Sequence, residues 1–462
     1  MNHKRITKKM KWHLPAIDIF SFFNEEQEVA FLDSSLINEL GKYSILGLKP
    51  YQTLMKKEGK FYKNGVLQKT DSFEAYLKKY LSEHKDQNEI EIPMVSGAIG
   101  YFSYDYGREN MEIISQQPDY CQIPEVVLTF YDLIIVEDCH KKEIYISASG
   151  NTEDSEQQLQ QIESFILKKK NASAHEHIKM DEAVEKKKIL EEMVQFYFQK
   201  EEYKNAIERM IQYMKEGDIY IANMTQQLKI NSEKRPVDVF KSLREKNPSP
   251  FGCFLDYGTY QIISASPERF LQMKNRKVQT RPIKGTRKRG ETLEEDELLY
   301  KELEESEKDH SELLMIIDLE RNDLNQVCLP GSVNVTELFS IESYATVFHL
   351  IANIEGKMKE DCDIIDMLQA TFPGGSVTGA PKYHAMEIID ELEHGKRGLY
   401  TGSIGYLTLD GACDLNIVIR TAVYKDGNYY LGVGGGITAE SDPEFEYEET
   451  LQKAKAILEA IR

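Results

Sequence analysis

The chain of 462 residues has one tryptophan, six cysteines and no run approaching eighteen consecutive apolar residues. The last absence excludes an ordinary membrane-spanning helix, which needs about 20 such residues. Cys121, Cys139, Cys253, Cys328, Cys362 and Cys413 stand singly, without a Cys-x-x-Cys pair. That argues against a zinc site and against a disulfide framework. None lies in a Gly-x-Cys-x-Gly elbow, so the chain offers no thiol nucleophile of the glutaminase kind. Positive charge is also short: 57 Lys and Arg against 77 Asp and Glu leave −20. This disfavours nonspecific nucleic-acid binding and attraction to anionic membranes, and it obliges any site for an anionic ligand to build a local positive pocket. The N-terminal MNHKRITKKMKWHL is basic, but no apolar segment follows it, so the sequence reads as a cytoplasmic enzyme without a signal peptide.

What is present suggests a strand-rich first region (residues 1–150), a polar linker (151–190) and a second domain (191–462). The first region has short apolar runs broken at Glu58-Gly59 and Asn64-Gly65, and Leu133 to Ser147 reads as a hairpin around His140-Lys141-Lys142. In the second domain Tyr203, Ala206, Ile207, Met210, Ile211 and Met214 recur at helical spacing, with Gly217 as a stop. Phe251 to Ser264 predicts a hairpin turning at Tyr257-Gly258-Thr259. The acidic run Glu291 to Glu307 predicts a solvated helix face, and Leu313 to Leu319 an apolar helix. Gly402–Leu409, Cys413–Tyr424 and Tyr429–Val433, joined at Asp410-Gly411 and Asp426-Gly427, predict a three-stranded meander. A last helix, Pro443 to Ile461, should bury Tyr447, Leu451, Ala454, Leu458 and Ile461.

Chemistry concentrates in Gln279 to Gly290, QTRPIKGTRKRG. Pro282 holds its own φ and pushes Arg281 towards extended conformations, while Gly285 admits angles closed to other residues, so Lys284 should sit on a constrained bend. A placed lysine can be a nucleophile in a way that arginine cannot. Glu446, Glu449 and Lys453 share a face of the last helix. A surface ion pair explains two of them; Mg²⁺ held with a distant carboxylate such as Glu312, one turn after Asp309, is the other use. Gly374 to Lys382 and Gly434-Gly435-Gly436 are places where backbone N–H groups could face an anion. His349, within ATVFHLIANI, suits a satisfied core histidine as well as a site residue. Arg420, ending an apolar strand from Leu415, needs either an internal carboxylate or that of a substrate.

SPERF (266–270), RPIKGT (281–286), MIIDLERNDL (315–324), FPGGSVTGAPK (372–382), GSIGY (402–406) and GGGITAESDPEFEYEET (434–450) resemble the chorismate-utilising enzymes, in order, over 195 to 460. The resemblance implies an α+β fold, a two-layer, mostly antiparallel β-sandwich flanked by helices, with the two halves packed together. Within the family it points to the branch that forms 4-amino-4-deoxychorismate, because anthranilate-forming relatives are expected to carry alanine at position 284. Isochorismate and salicylate formers are expected to carry a lysine where Ile221 stands. Ile221 and Gln227 also depart from the glutamine and arginine expected in the amine-forming branches. The resemblance implies Lys284 as nucleophile, Glu268 as acid and His349 near the ring. It further implies Gly285, Thr286, Tyr406, Arg420, Gly434, Gly435, Gly436 and Lys453 as substrate contacts, and Mg²⁺ on Glu312, Glu446 and Glu449. The substrates implied are chorismate and ammonia, the latter from a separate glutamine amidotransferase subunit. Some relatives bind tryptophan at places resembling Ser34, Tyr43, Ser44, Pro248, Ser249 and Pro250; whether tryptophan binds here or the place is structural stays open.

Overall fold

The strand Val126–Asp138 is buried at every position, a pattern that suits only a strand covered on both faces. It marks the place where two sheet layers meet. In the computed structural model, which describes residues 5–173, 193–344 and 347–462, twenty-two strands and eleven α-helices are described. All pairings between the named strands are antiparallel. Val126–Asp138 pairs along its length with Tyr43–Lys57, across a register shift between Pro50 and Gln52. Its first half also pairs with Gly97–Phe102 and its second with Glu143–Ala148, so one long strand serves both layers.

The first layer runs from Glu143–Ala148 through the long pair to Ala30–Asp33, Phe251–Asp256, Gln261–Ser266, Thr421–Lys425, Asn428–Ile437 and Ile221–Asn231. The second runs through Gly97–Phe102, Ser403–Thr408, Cys413–Asn416, Arg269–Lys274 and Lys277–Thr280 to Val347–Lys357, which also pairs with Ile283–Lys288 and Asn334–Ser343. Ile99, Tyr101 and Ile404 of one layer meet Cys253, Leu255 and Ile262 of the other in a shared core. The outer faces carry helices: Glu307–Val327 and Ile364–Thr371 cover the second layer, and Pro236–Lys246 and Pro443–Ile461 the first. The result is the flanked antiparallel sandwich expected from the motifs, and each layer joins a block of strands from the first half of the chain edge to edge with a block from the second.

The hairpins at 133–147 and 251–264 form where the pattern places them. Helix Lys200–Glu216 buries the six expected side chains and ends on Gly217 at φ 89°. Two expectations need correcting. Cys413–Tyr424 is not one strand: Cys413–Asn416 joins the second layer and Thr421–Lys425 the first, with a break whose last residue, Arg420, has φ 50°. The chain changes layers there because both its faces are apolar and each layer takes one half. The last helix spans Pro443–Ile461 as expected, but its buried face is Tyr447, Thr450, Ala454, Ile457 and Ile461; Leu451 and Leu458 are only half-buried at its edge. Of the polar stretch 151–190, Ser155–Ser173 is a helix that packs Leu159, Ile162 and Ile166 into the first layer's outer core. The remainder, from 174, lies outside the described residues. The six cysteines are all free, and no helix among the described residues is long and apolar enough to cross a membrane.

Candidate active site

Lys284 lies on strand Ile283–Lys288, opposite Leu350, and the register slips by one residue between it and Thr286. The extra residue is Gly285, at φ 71°. A methyl group there would come within 2.8 Å of Leu303 and 2.9 Å of Asp309. The constrained bend is therefore a glycine β-bulge, which re-aims the neighbouring side chain. Lys284 Nζ donates to the Ser376 carbonyl at 3.2 Å. It also lies 3.5 Å from where a Gly436 methyl would stand, and Ile221 Cδ1 lies 3.8 Å from the same point. Glycine at 436 thus keeps open the space before the amine, and Ile221 lines that space with hydrocarbon where the departure from the family pattern had been noted.

Glu268, in the short link between strands Gln261–Ser266 and Arg269–Lys274, is buried. Its Oε1 accepts from Ser376 Oγ at 2.8 Å. Burial pushes its carboxyl above the usual range, while Ser376, Lys284 and Arg420 pull the other way. His349 is 4 % exposed and shares a 2.8 Å hydrogen bond, through Nδ1, with Thr286 Oγ1. Burial, helped by the Arg420 charge, lowers it to about 4, so the ring is neutral at physiological pH. Among the described residues no carboxylate forms an ion pair with Arg420; burial lowers its pKa and Glu268 opposes this. A buried cation so placed favours a carboxylate arriving from outside.

Strand Asn428–Ile437 lays its three glycines against Asn223, Met224 and Thr225. A methyl on Gly435 would fall 2.9 Å from Glu449 Oε2 and 3.3 Å from Glu446 Oε2, so the glycine forms the floor of a two-carboxylate notch. Lys453 Nζ donates to Gly434 O at 2.9 Å and to Glu449 at 3.1 Å. Glu312, on helix Glu307–Val327, is held above its usual range by burial and by Asp309 and Glu449, against the pull of Lys284 and Lys308. Glu446 is raised likewise, by burial and Glu449, while Ser441 donates to it at 2.7 Å. Among the described residues no group of three or more His, Cys, Asp or Glu is close enough to enclose a metal ion. The donors nevertheless suit Mg²⁺, which is commonly held by one or two carboxylates while keeping several waters. Asp309 itself is engaged by Arg287 at 3.1 Å.

Several expected residues lie elsewhere. Lys382 does not face a ligand: it is buried and donates to Asp323 at 2.5 Å and to Thr371 O and Pro373 O at 2.9 Å each, pinning the 372–382 loop. Tyr406 sits in the inter-layer core and lines a cavity of about 70 Å³ with Ser34, Tyr43, Pro250 and Asn416, away from Lys284. On its strand it stands opposite Ile99 of Gly97–Phe102 and shares the inter-layer core with it. Ser34 Oγ donates to Tyr43 O at 2.7 Å and to Pro250 O at 3.1 Å, the Ser34 N–H donates to Ser44 Oγ at 3.1 Å, and Ser44 Oγ donates to Asp33 at 3.5 Å. Ser249 exchanges hydrogen bonds with Ser35. Of the six residues considered for tryptophan, Ser34, Tyr43 and Pro250 line the cavity, whereas Ser44, Pro248 and Ser249 are not among its walls. Gln227 donates to the Lys396 carbonyl and helps line a separate crevice with Tyr400 and Gly432.

Ser376, within the stretch expected to face an anion, links Glu268 and Lys284. Two residues near the site escaped the sequence reading. Tyr400 packs against Gly432, where any side chain would strike its ring. Glu320 is buried and occupies the apolar stripe of its helix with Leu313, Ile316, Ile317, Leu324 and Val327; a charged residue at a stripe position was the available signal.

The sequence matches the chorismate binding enzyme family over residues 36–459. It is 36 % identical over 430 residues to aminodeoxychorismate synthase component 1 of Bacillus subtilis, covering 91 % of this chain and 89 % of the relative. It is 37 % identical over 460 residues to anthranilate synthase component 1 of Acetivibrio thermocellus, covering 96 % and 92 %. The crystal structure of anthranilate synthase component I from Streptococcus pneumoniae superposes with a TM-score of 0.77 at 31 % identity, covering 92 % of this chain and 93 % of that one. The carboxylates, the bulge-borne lysine and the glycine strand accordingly sit in a shared scaffold, and the chain belongs to the chorismate binding enzyme family.

Proposed function

We propose that this chain aminates chorismate at ring carbon C4, giving 4-amino-4-deoxychorismate, as the cytoplasmic component I partner of a glutamine amidotransferase. The observation that carries the reading is the amine of Lys284, aimed by a glycine bulge into the space bounded by Gly436, Ser376 and Ile221. As the free amine, Lys284 Nζ bonds to C2 while the C4 hydroxyl leaves as water with the proton of Glu268 and the ring double bonds shift. Ammonia then bonds to C4, the C2–N bond breaks, and the proton shed by the entering nitrogen returns to Glu268. Burial, which favours the protonated carboxyl, suits Glu268 to the donor role. Arg420 faces a substrate carboxylate, and the neutral His349–Thr286 pair offers a hydrogen bond to the ring. Glu312 and Glu449, with Glu446 nearby, would hold Mg²⁺ that keeps several of its waters and supplies positive charge for the ring carboxylate. Ile221 leaves no lysine to activate water, which supports amination over hydration.

The anthranilate synthase relatives are as similar as the aminodeoxychorismate synthase relative, and this favours anthranilate formation as the second reading. Purified chain incubated with chorismate, Mg²⁺ and an ammonium salt separates the two by mass spectrometry. Aminodeoxychorismate is expected from the wild type, and its loss from Lys284→Ala with chorismate binding retained. Fluorescent anthranilate formed without an added lyase would replace our reading with the second one. With glutamine in place of ammonium, this polypeptide alone should be inactive; turnover would overturn the partner assignment.

A further inference from the structure

We propose that Arg397 is a positioning residue for the reaction: its guanidinium bridges the Ser376 turn to the strand that faces the glycines, and through Ser376 it sets Glu268 and Lys284 in register with each other. The proposal rests on the reading of Lys284 as nucleophile and Glu268 as acid. The ladder between Ile221–Asn231 and Gly379–Ala380 is short. Ile221 stands opposite Ala380 and Ala222 opposite Gly379, and the Asn223 N–H adds a bond to Thr378 O at 2.7 Å. There the two chains part, because Gly375–Val377 is a tight turn. Arg397 fills the fork. Its Nη1 donates to Val377 O at 2.8 Å and its Nη2 to Asn223 O at 2.6 Å, the carbonyls on either side of the split. Ser376, next to Val377, donates from Oγ to Glu268 at 2.8 Å and accepts from Lys284 through its carbonyl at 3.2 Å. Asn223 lies opposite Gly436, the glycine that keeps open the space before the amine.

The remaining N–H groups are taken as well. Nε and Nη2 grip Glu393 at 3.0 and 2.7 Å, and Nη1 reaches Thr401 Oγ1 at 3.3 Å, so every donor of the guanidinium has an acceptor. Glu393 in turn accepts from the Thr225 N–H at 2.9 Å, two residues further along the same strand. The Arg397 and Glu393 side chains are only 1 % and 4 % exposed, and the guanidinium lies 4.5 Å from the centre of the Tyr104 ring. The first half of the chain holds the segment in place: the Tyr104 N–H donates to Gly398 O at 2.9 Å, and Asp105 accepts from the Gly398 N–H at 2.8 Å. A buried ion pair commonly adds no more stability than a well-packed apolar filling. Hydrocarbon here, however, would leave two carbonyls unpaired where the turn begins. A lysine would offer a single point of contact in place of the separated donors of a planar fork.

The test is kcat and KM, beside melting temperature, for full-length wild type, Arg397→Lys, Glu393→Gln, Ser376→Ala and the Arg397→Lys/Ser376→Ala double variant, with chorismate, Mg²⁺ and ammonium. Arg397→Lys keeps the charge beside Glu393 but loosens the turn, so kcat should fall roughly 10- to 100-fold. KM for chorismate and the Mg²⁺ dependence should move less than about threefold, since Arg420, Glu312 and Glu449 belong to other segments. In the double variant the loss of kcat should fall short of the product of the two single losses, because Ser376 is the shared link. Glu393→Gln leaves both carbonyl bonds of Arg397 in place, so it should lower the melting temperature yet keep kcat within about threefold of wild type. Four results would each overturn the proposal and leave Arg397 a structural residue: unchanged kcat in a folded Arg397→Lys, a loss confined to KM, a double-variant loss equal to the product, or kcat falling in step with melting temperature across the Arg397 and Glu393 variants. If Arg397→Lys does not fold, Glu393→Gln decides, and a fall of about tenfold or more in its kcat is the overturning result. Lys284→Ala or Glu268→Gln with native activity would sink the nucleophile or acid assignment itself, whereas both inactive beside an unaffected Arg397→Lys would sink only this inference.

Discussion

At the scale of single residues, burial decides charge more than neighbours do. His349 is the sharpest example: it is lowered from 6.5 to about 4 with burial as the first cause. The folded state therefore binds its proton less readily than the unfolded chain. Stability that is full above about pH 6.5 should drain away as pH falls towards 4, by about 3 kcal/mol for a shift of this size. Denaturant unfolding of wild type and His349→Gln across that window should show the pH dependence shrinking in the variant. If both slopes are equal, the ring is solvated or already charged. The same scale shows where sequence reasoning ended. Lys284 announces itself by its setting and Glu268 only through the family motif, whereas Tyr406 and Tyr400 are two tyrosines six positions apart that look alike on paper. Only the folded sheet, in which Tyr406 stands opposite Ile99, shows that Tyr406 belongs to the inter-layer core.

At the scale of elements, two glycines do different work. Gly285 must adopt φ 71° and has Leu303 and Asp309 within 3.0 Å of a would-be methyl. Gly435 has ordinary backbone angles, and its would-be methyl meets only the ends of Glu449, Glu446 and Lys453. Gly285→Ala should therefore cost stability, on the order of 1–3 kcal/mol from the backbone alone. Gly435→Ala should fold normally and lose activity by filling the carboxylate notch, with a weaker response to Mg²⁺. Thermal melts beside Mg²⁺ titrations of activity separate the two; equal melting losses would contradict the contrast. The glycine run was visible in the sequence, but the carboxylates above it belong to another element. The layer change at Arg420 was hidden for a related reason. A continuous apolar run from Leu415 is what a single buried strand looks like, and only its competing partners in two layers reveal the break.

At the scale of the molecule, the first region and the rest are joined edge to edge in both layers. Ala30–Asp33 pairs with Phe251–Asp256, and Gly97–Phe102 with Ser403–Thr408. Removing residues 1–150 would uncover two sheet edges and the inter-layer core at once. The full chain should therefore unfold in one transition that coincides by far-UV circular dichroism and tyrosine fluorescence. The 191–462 fragment should not give a cooperative transition of its own. Two resolved transitions, or a fragment that melts cooperatively, would mean that the halves are separate folding units.

Local patterns in the sequence determined the hairpins, the helix stops, the bend at Lys284 and the family to which the chain belongs, because turn chemistry, helical spacing and motif order act over a few residues. The tertiary structure alone decided the layer order, the face of the last helix that is buried and the burial of Glu268 beside Ser376. Those depend on which strand edges and helix faces find one another across hundreds of residues, and burial, which sets the charges, exists only once they have.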